Sequence, residues 1–321
     1  MSDSSTYDAI CVGAGAIGLT IAHDLAEAGL RLALIDRGPV GREASWAGAG
    51  IIPPASLSAA KTPYDRLRAI SYQRFREFSR QIAEDVGIDV GYRNCGAVEV
   101  FASPEEIESM PTVRQSRTRV GIEHAPLTDN QRQTFVAELV GKHVDWIPGV
   151  CQIRNPRFLA GMKAWLRQRG VTIIENDPAH DLLWGDRSRG RVAGVRLASE
   201  RIIQGGQVLL AAGAWSGELY RRWTGIELPI YPVQGEILVL QSPRATTLPI
   251  LLQGKRYLVP RDDGLILVGS TEVNVGFKKR VTQAALEELR QFAAGLLPTL
   301  AKAKGVYSWA GLRPASGFNH P

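Results

Sequence analysis

The sequence predicts an α/β fold, α+β when the whole chain is counted, with a Rossmann-like domain and a second domain built on an antiparallel sheet. Three observations support this. An apolar run leads through Gly-x-Gly-x-x-Gly into a helix at residues 7–28, a second apolar strand follows at 31–35, and alternating strands between turn residues fill 231–270. With 321 residues, 45% of them apolar, the chain suits two domains.

The first element is a strand, a tight turn and a helix. Residues 9–12 are apolar, and Gly13, Gly15 and Gly18 form the turn before a helix over 19–28. Gly13 allows a backbone conformation that a side chain would forbid, Gly15 lets the main chain approach a pyrophosphate, and Gly18 lets the helix lie close to the strand. The free N–H groups at the helix start are then expected to face phosphates.

An acidic residue completes this signature. Asp36 follows the strand 31–35, eighteen residues after Gly18, where a carboxylate can bind the hydroxyls of an adenosine ribose. Strand, helix and acid together predict a dinucleotide site. The alternative is a coincidental glycine turn.

Residues 37–54 are too rich in small residues for a regular element, and we expect backbone packed against something flat and large. The alternative is a helix start with small packing residues. A long amphipathic helix is predicted over 65–86, a strand over 96–102 and a weaker helix over 105–115. The pattern over 116–148 is irregular.

The middle of the chain returns to regular elements. The spacing predicts a helix over 155–168, strands over 171–175, 182–184, 192–197, 202–203 and 207–212, then a turn at Gly213. That turn would lie at the carboxyl end of the sheet, where open α/β sheets bind ligands. An ordinary strand-to-helix turn is the alternative. After residue 230 we predict strands over 231–240, 256–260, 265–270 and 306–312 and a helix over 282–297.

Composition weighs against several classes of protein. The net charge is +6 and the pI about 9.3, but the basic residues are scattered, so a solvated surface is favoured over nucleic-acid binding. Cys11, Cys95 and Cys151 are odd in number and far apart, which argues against a disulfide framework and against a zinc or other metal site. We expect a reducing, cytoplasmic setting.

No charged leader precedes an apolar signal segment, and residues 9–19 are too short and too rich in glycine to span a bilayer. We therefore expect no membrane association.

Six segments, in order, resemble the glycine oxidase group of the D-amino acid oxidase family. They are Tyr7–Gly18, Gly41–Gly50, Ala211–Ser216, Pro232–Glu236, Tyr257–Arg261 and Trp309–Pro314. The resemblance implies an FAD flavoprotein. Its FAD-binding domain would comprise residues 1–85, 150–225 and 300–321, and its substrate domain residues 86–149 and 226–299.

The cofactor site implied by the resemblance draws on four loops. It comprises Gly13, Gly15, Ala16, Ile17 and Gly18 at the pyrophosphate, Asp36 and Arg37 at the adenosine end, Ala44, Ser45, Ala49, Gly50 and Ile51 toward the flavin ring, and Gly213. On the substrate side, Tyr257 and Arg313 would hold the substrate carboxylate, since a guanidinium with a phenol supplies both charge and orientation. Taken alone, each has a structural alternative: a packed strand tyrosine and a surface arginine.

The implied reaction is oxidation of glycine or a similar small amine or D-amino acid. Hydride would pass to the flavin without a protein base, and dioxygen would reoxidise it to give hydrogen peroxide. The family serves the thiazole branch of thiamine biosynthesis and often forms homo-oligomers. Family members continue past Arg313-Pro314 with a segment that this sequence lacks, so weaker FAD binding is expected. A catalytically silent relative and a dehydrogenase using another electron acceptor stay open.

Overall fold

The computed structural model describes residues 6–136, 139, 143–186, 190–246 and 248–317. The helices are α1 Ala16–Glu27, α2 Ala44–Ala47, α3 Pro63–Val86, α4 Pro104–Arg119, α5 Asp129–Val136, α6 Asn155–Gln168, α7 Ser216–Thr224 and α8 Gln283–Leu296. The strands are β1 Ala9–Val12, β2 Leu32–Ile35, β3 Ile51–Ile52, β4 Arg93–Asn94, β5 Ala97–Phe101, β6 Ala125–Pro126, β7 His143–Ile147, β8 Cys151–Gln152, β9 Thr172–Ile174, β10 Ala179–Asp186, β11 Arg191–Leu197, β12 Ile202–Gln204, β13 Val208–Leu210, β14 Ile230–Gln241, β15 Ile250–Gln253, β16 Arg256–Pro260, β17 Leu265–Gly269 and β18 Lys304–Ser316.

A parallel sheet of four strands carries the glycine turn. Its order is β13-β1-β2-β9, with Ile10 opposite Val208 and Cys11 opposite Leu34. Every residue of β1 and β2 is buried. Layers on both faces of a parallel sheet explain why these strands are continuous apolar runs rather than alternating ones.

Different elements pack against the two faces of this sheet. On one, α1, α3 and α6 bury a cluster that includes Leu19, Phe78 and Trp165. On the other, Ile10 and Ile35 pack with residues of the antiparallel sheet β10-β11-β12 and with α7. All four parallel strands therefore end at one edge, between these layers.

A second, larger sheet has the order β18-β14-β17-β16-β15-β5-β7-β6. Strands β14 and β18 pair antiparallel along their length, with Val233 opposite Arg313. Helix α8 covers part of the sheet through a cluster that includes Leu289 and Ala293. Thr282 caps this helix by accepting a hydrogen bond from the Ala285 backbone N–H, which explains where it begins.

Most predicted elements are present, and the main differences lie in short ones. The segment 37–54 contains the one-turn helix α2 and the two-residue strand β3, which are too short to produce a periodic pattern. The region 116–148 is not irregular throughout, since β6, α5 and β7 lie within it. The four-residue strand β15 was not predicted, because a short apolar run is equally compatible with a buried helix segment.

Candidate functional site: a cleft at the edge of the parallel sheet

A cleft of about 880 Å³ opens where β1, β2 and β13 end. Nine of the thirteen residues predicted to bind the cofactor line it: Gly13, Gly15, Ala16, Ile17, Asp36, Arg37, Ala44, Ser45 and Gly213. Gly18, Ala49, Gly50 and Ile51 do not. The volume lies within the roughly 300–1,000 Å³ typical of ligand sites.

Close backbone contacts require the first and the third glycine of the turn. Gly13 has φ +107°, and a Cβ there would lie 2.3 Å from the carbonyl oxygen of Ala211. A Cβ on Gly18 would lie 1.8 Å from the carbonyl oxygen of Gly13. These two positions thus bring β13 and α1 against the turn. Gly15 faces Ser45, whose Oγ would lie 3.0 Å from a Cβ.

The Asp36 side chain is hydrogen-bonded to the backbone of the glycine turn. Its carboxylate accepts hydrogen bonds from the backbone N–H of Ala14 at 2.7 Å and of Gly38 at 3.0 Å. Burial raises the pKa of Asp36, and these two hydrogen bonds and the charge of Arg37 oppose the rise. The acid predicted at the end of β2 therefore lies beside the glycine turn, at the rim of the cleft.

The second glycine-alanine loop reaches the start of α1. The Ser45 hydroxyl accepts a hydrogen bond from the backbone N–H of Ala16 at 2.9 Å. Gly213, with φ +56°, follows β13 on the opposite side of the turn. Three loops that are distant in sequence therefore meet at the helix N-terminus, where backbone N–H groups favour anions.

One wall of the cleft is aromatic and charged. The guanidinium of Arg37 lies 3.5 Å from the ring centroid of Trp215, and that ring is 5.3 Å from the ring of Phe277. Arg37 also donates to Glu43 at 2.6 Å, and Glu43 accepts from Lys279 at 2.7 Å. This wall thus connects the segment after β2 with the segment between β17 and α8.

The structure brings Tyr257 and Arg313 together through Ser270. An Nη2 hydrogen of Arg313 is donated to the Ser270 hydroxyl, and the same nitrogen lies 3.3 Å from the carbonyl oxygen of Thr271. Burial raises the pKa of Tyr257, while a hydrogen bond with Ser270 and the charge of Arg313 lower it. Ser270 was missed in the sequence, where it appeared only as the last residue of a strand.

Two glycines make room for this pair. A Cβ on Gly235 would lie 2.4 Å from Arg313 Nη2, and a Cβ on Gly269 would lie 2.5 Å from the ring of Tyr257. Gly235 belongs to the Pro232–Glu236 segment, and the space that Arg313 needs explains why this segment has glycine there.

The polar residues beside Gly235 hold a neighbouring segment. Glu236, 2% exposed, accepts from the backbone N–H of Thr282 at 2.7 Å. Gln234 accepts from the backbone N–H of Arg280 at 2.8 Å. These contacts fix the segment 271–282, in which Phe277 and Lys279 contact the cleft residues Trp215 and Glu43.

Strand β18 separates the cleft from the Tyr257–Arg313 pair. Leu312 and Pro314 line the cleft, and Arg313 between them contacts Ser270. This is the alternation expected of successive side chains in a strand. The glycine turn, the acid after β2 and the size of the cleft fit a dinucleotide cofactor.

The residues that the structure describes also bear on metal binding and on membrane crossing. Within these ranges, no group of three or more His, Cys, Asp or Glu side chains is placed to hold a metal ion. The helices in the same ranges include none with the length and apolar character that crossing a bilayer requires.

Comparisons with known proteins give a consistent family. A family model described as DAO, FAD dependent oxidoreductase, matches residues 8–320. The chain is 38% identical over 314 residues to the glycine oxidase of Pseudomonas aeruginosa, a match that covers 96% of this chain and 82% of that protein. It is 27% identical to the bifunctional protein ThiO/ThiG of a Synechocystis species, covering 99% of this chain and 46% of that protein.

Among solved structures, the crystal structure of glycine oxidase from Geobacillus kaustophilus matches with a TM-score of 0.88. The sequence identity is 25%, and the match covers 98% of this chain and 84% of that chain.

Proposed function

The chain belongs to the DAO family of FAD-dependent oxidoreductases, and on this premise we propose that it oxidises glycine or a similar small amine or D-amino acid. For glycine, the carbon–nitrogen bond becomes an imine, which water converts to glyoxylate and ammonia. A bound FAD supplies the acceptor for the hydride of the α-carbon, and its reoxidation by dioxygen gives hydrogen peroxide. The similarity to glycine oxidases supports the substrate class.

The observation that carries this proposal is the meeting of Arg313 and Tyr257 at Ser270, across one strand from the cleft. A guanidinium and a phenol held together can bind a carboxylate and fix the direction of the α-carbon. The buried Tyr257 hydroxyl stays protonated at neutral pH, because burial raises its pKa. We therefore assign carboxylate binding to these two residues.

The proposal assigns the cofactor to the cleft. The helix start and the glycines of the turn would hold the pyrophosphate, and Asp36 and Arg37 the adenosine end. Ala44, Ser45 and Gly213 line the same cleft, and we assign them to positions beside the pyrophosphate. Ala49, Gly50 and Ile51 lie outside the cleft lining, and the proposal assigns them to the flavin ring.

No protein base is part of the proposed chemistry. The substrate amine must reach the site neutral, after which the α-hydrogen leaves as hydride and the chain's own residues bind and orient the substrate. We also propose the domain division given above, a cytoplasmic location, a homo-oligomeric assembly and a role in thiamine biosynthesis. The match to a ThiO/ThiG protein supports the last of these.

An absorption spectrum tests the proposal. The purified chain, loaded with FAD, is mixed anaerobically with glycine, sarcosine and D-alanine in turn, and air is then admitted while peroxide is measured. We expect the flavin band to bleach and to return with one peroxide formed per substrate oxidised. Bound flavin that none of the three bleaches would contradict the proposal and indicate a catalytically silent relative. Bleaching with slow return in air and little peroxide would indicate a dehydrogenase.

A further inference from the structure

Loop 44–51, which runs from α2 to the start of β3, has its carbonyl groups bound from outside by distant side chains. Asn155, the first residue of α6, donates from Nδ2 to the carbonyl oxygens of Ser45 at 2.7 Å and Gly48 at 3.1 Å. Trp309 of β18 donates from Nε1 to the Ala47 carbonyl at 3.0 Å. Distant side chains thus supplement the backbone hydrogen bonds of this loop, such as the one from the Ile153 N–H to the Gly50 carbonyl oxygen.

Arg261 completes this set of donors. It follows β16, is 5% exposed, and donates from Nη2 to the carbonyl oxygen of Ala49 at 2.7 Å. Its other terminal nitrogen donates to Gln152 at 2.6 Å and lies 3.2 Å from the carbonyl oxygen of Ile153. Within the described ranges, none of the ion pairs includes this guanidinium. A buried cation is thus bound by neutral oxygens only, directly behind the loop.

These contacts determine the direction of two backbone donors. In a trans peptide, the N–H of one residue points away from the carbonyl of the residue before it. Asn155 binds the Gly48 carbonyl and Arg261 the Ala49 carbonyl, so the N–H groups of Ala49 and Gly50 point away from both side chains. No hydrogen bond between described residues uses either N–H as its donor.

We propose that Arg261 and Asn155 are positioning residues for the cofactor: they orient the Ala49 and Gly50 N–H groups, and Arg261 adds positive charge behind them. The inference rests on the proposed function, which assigns this loop to the flavin ring. Oriented N–H groups and a buried cation both stabilise negative charge on a ring placed against them. Gly50 has φ +70°, and a Cβ there would lie 2.0 Å from the Ile153 carbonyl oxygen, so glycine is required for the loop to pack against the segment that carries Asn155.

The charge of Arg261 persists at neutral pH. Burial, together with the nearby charge of Arg154, lowers its pKa to about 10, and the charge of Asp263 opposes this. The guanidinium is therefore still protonated under working conditions, at a position where water does not screen it.

Strand β16 leads from a proposed substrate-binding residue to the proposed positioning residue Arg261. Tyr257 lies in β16 opposite Gly269, and Arg261 follows the end of that strand. The Tyr257–Arg261 motif thus places one residue beside the substrate carboxylate and one behind loop 44–51. A change at Arg261 is expected to alter the cofactor without altering the carboxylate site.

Three variants test the inference. FAD affinity is measured by titrating the apoprotein, and the midpoint potential of the bound flavin is measured for wild type, Arg261→Met, Asn155→Ala and Arg256→Met. Arg256 is the matched control, because it lies in the same strand and pairs with Glu288 at the surface. Where Arg261→Met does not yield folded protein, Asn155→Ala carries the same expectation for FAD affinity.

We expect the FAD dissociation constant to rise at least tenfold in both test variants. In Arg261→Met the midpoint potential should fall by about 30 mV, which corresponds to a tenfold change for a two-electron couple. The kcat should fall while KM for glycine stays within twofold, and the control should match wild type. Lower thermal stability with unchanged FAD affinity and potential would overturn the inference and leave a structural role alone. A wild-type chain that binds no FAD would overturn the proposed function and this inference together.

Discussion

Replacement of Arg313 by Ala is the most direct perturbation of the substrate site. The guanidinium lies against Ser270 and Thr271, and Gly235 leaves it the space it occupies. A hydrogen bond to a charged group contributes about 1.5–3 kcal/mol, so losing two from a bound carboxylate costs about 3 kcal/mol or more. Since about 1.4 kcal/mol is a factor of ten, kcat/KM for glycine should fall at least a hundredfold.

The assay compares glycine with ethylamine, an amine of similar size that has no carboxylate, by peroxide formation. The wild type should strongly prefer glycine, and Arg313→Ala should lose most of that preference. Tyr257→Phe removes one hydrogen bond to the charged carboxylate, worth about 1.5–3 kcal/mol, and should lower kcat/KM by about tenfold to a hundredfold. Arg256→Ala, in the same sheet but paired with Glu288, is the control.

A loss of less than tenfold for glycine in Arg313→Ala would refute the assignment of carboxylate binding. An equal loss for ethylamine would also refute it, because that amine presents no carboxylate to Arg313.

Three further predictions concern the turn, the surface and the core. Gly18→Ala places a Cβ 1.8 Å from a backbone carbonyl and should weaken FAD binding more than tenfold in a titration, whereas Gly295→Ala, with open space around it, should not. Arg74 holds the pKa of Asp24 below its usual value, so this ion pair stabilises the fold above about pH 4 and is lost as pH falls through the lower folded value. In urea unfolding, Arg74→Met should lose less stability than the wild type as the pH falls through that window. Equal pH dependence of unfolding in the two proteins would contradict this. Burial raises the pKa of Cys11 to about 11, so at pH 8 mass spectrometry should find it unmodified by iodoacetamide in the native protein and modified in urea, and a native adduct would be the contrary result.

The dinucleotide turn could be predicted from the sequence because its signal is local. Gly13, Gly15, Gly18 and Asp36 stand within one strand–helix–strand unit, and the structure places Gly13, Gly15 and Asp36 in the lining of one cleft. Gly18 meets a neighbour inside this unit, the carbonyl of Gly13, whereas Gly13 and Gly15 face Ala211 and Ser45, which lie outside it. Periodicity sufficed for long elements, such as α6, whose bounds match the prediction.

The residues that support the site could not be predicted in this way. Ser270 lies near Tyr257 only because the pairing register of β16 and β17 places Tyr257 opposite Gly269. Asn155 and Arg261 looked like a helix start and a strand end, since nothing near them in sequence indicates a carbonyl more than a hundred residues away. Such roles arise from tertiary contacts, which local sequence patterns do not reveal.

The side-chain donors that bind loop 44–51 have a consequence for the order of folding. Asn155 is 110 residues from its first acceptor, Arg261 is 212 residues from Ala49, and Trp309 is 262 residues from Ala47. Closing such long loops is entropically costly and slow, so these contacts form after the local helices and the first strands. During synthesis the glycine turn can assemble early, but loop 44–51 acquires its final shape only once residue 309 has left the ribosome.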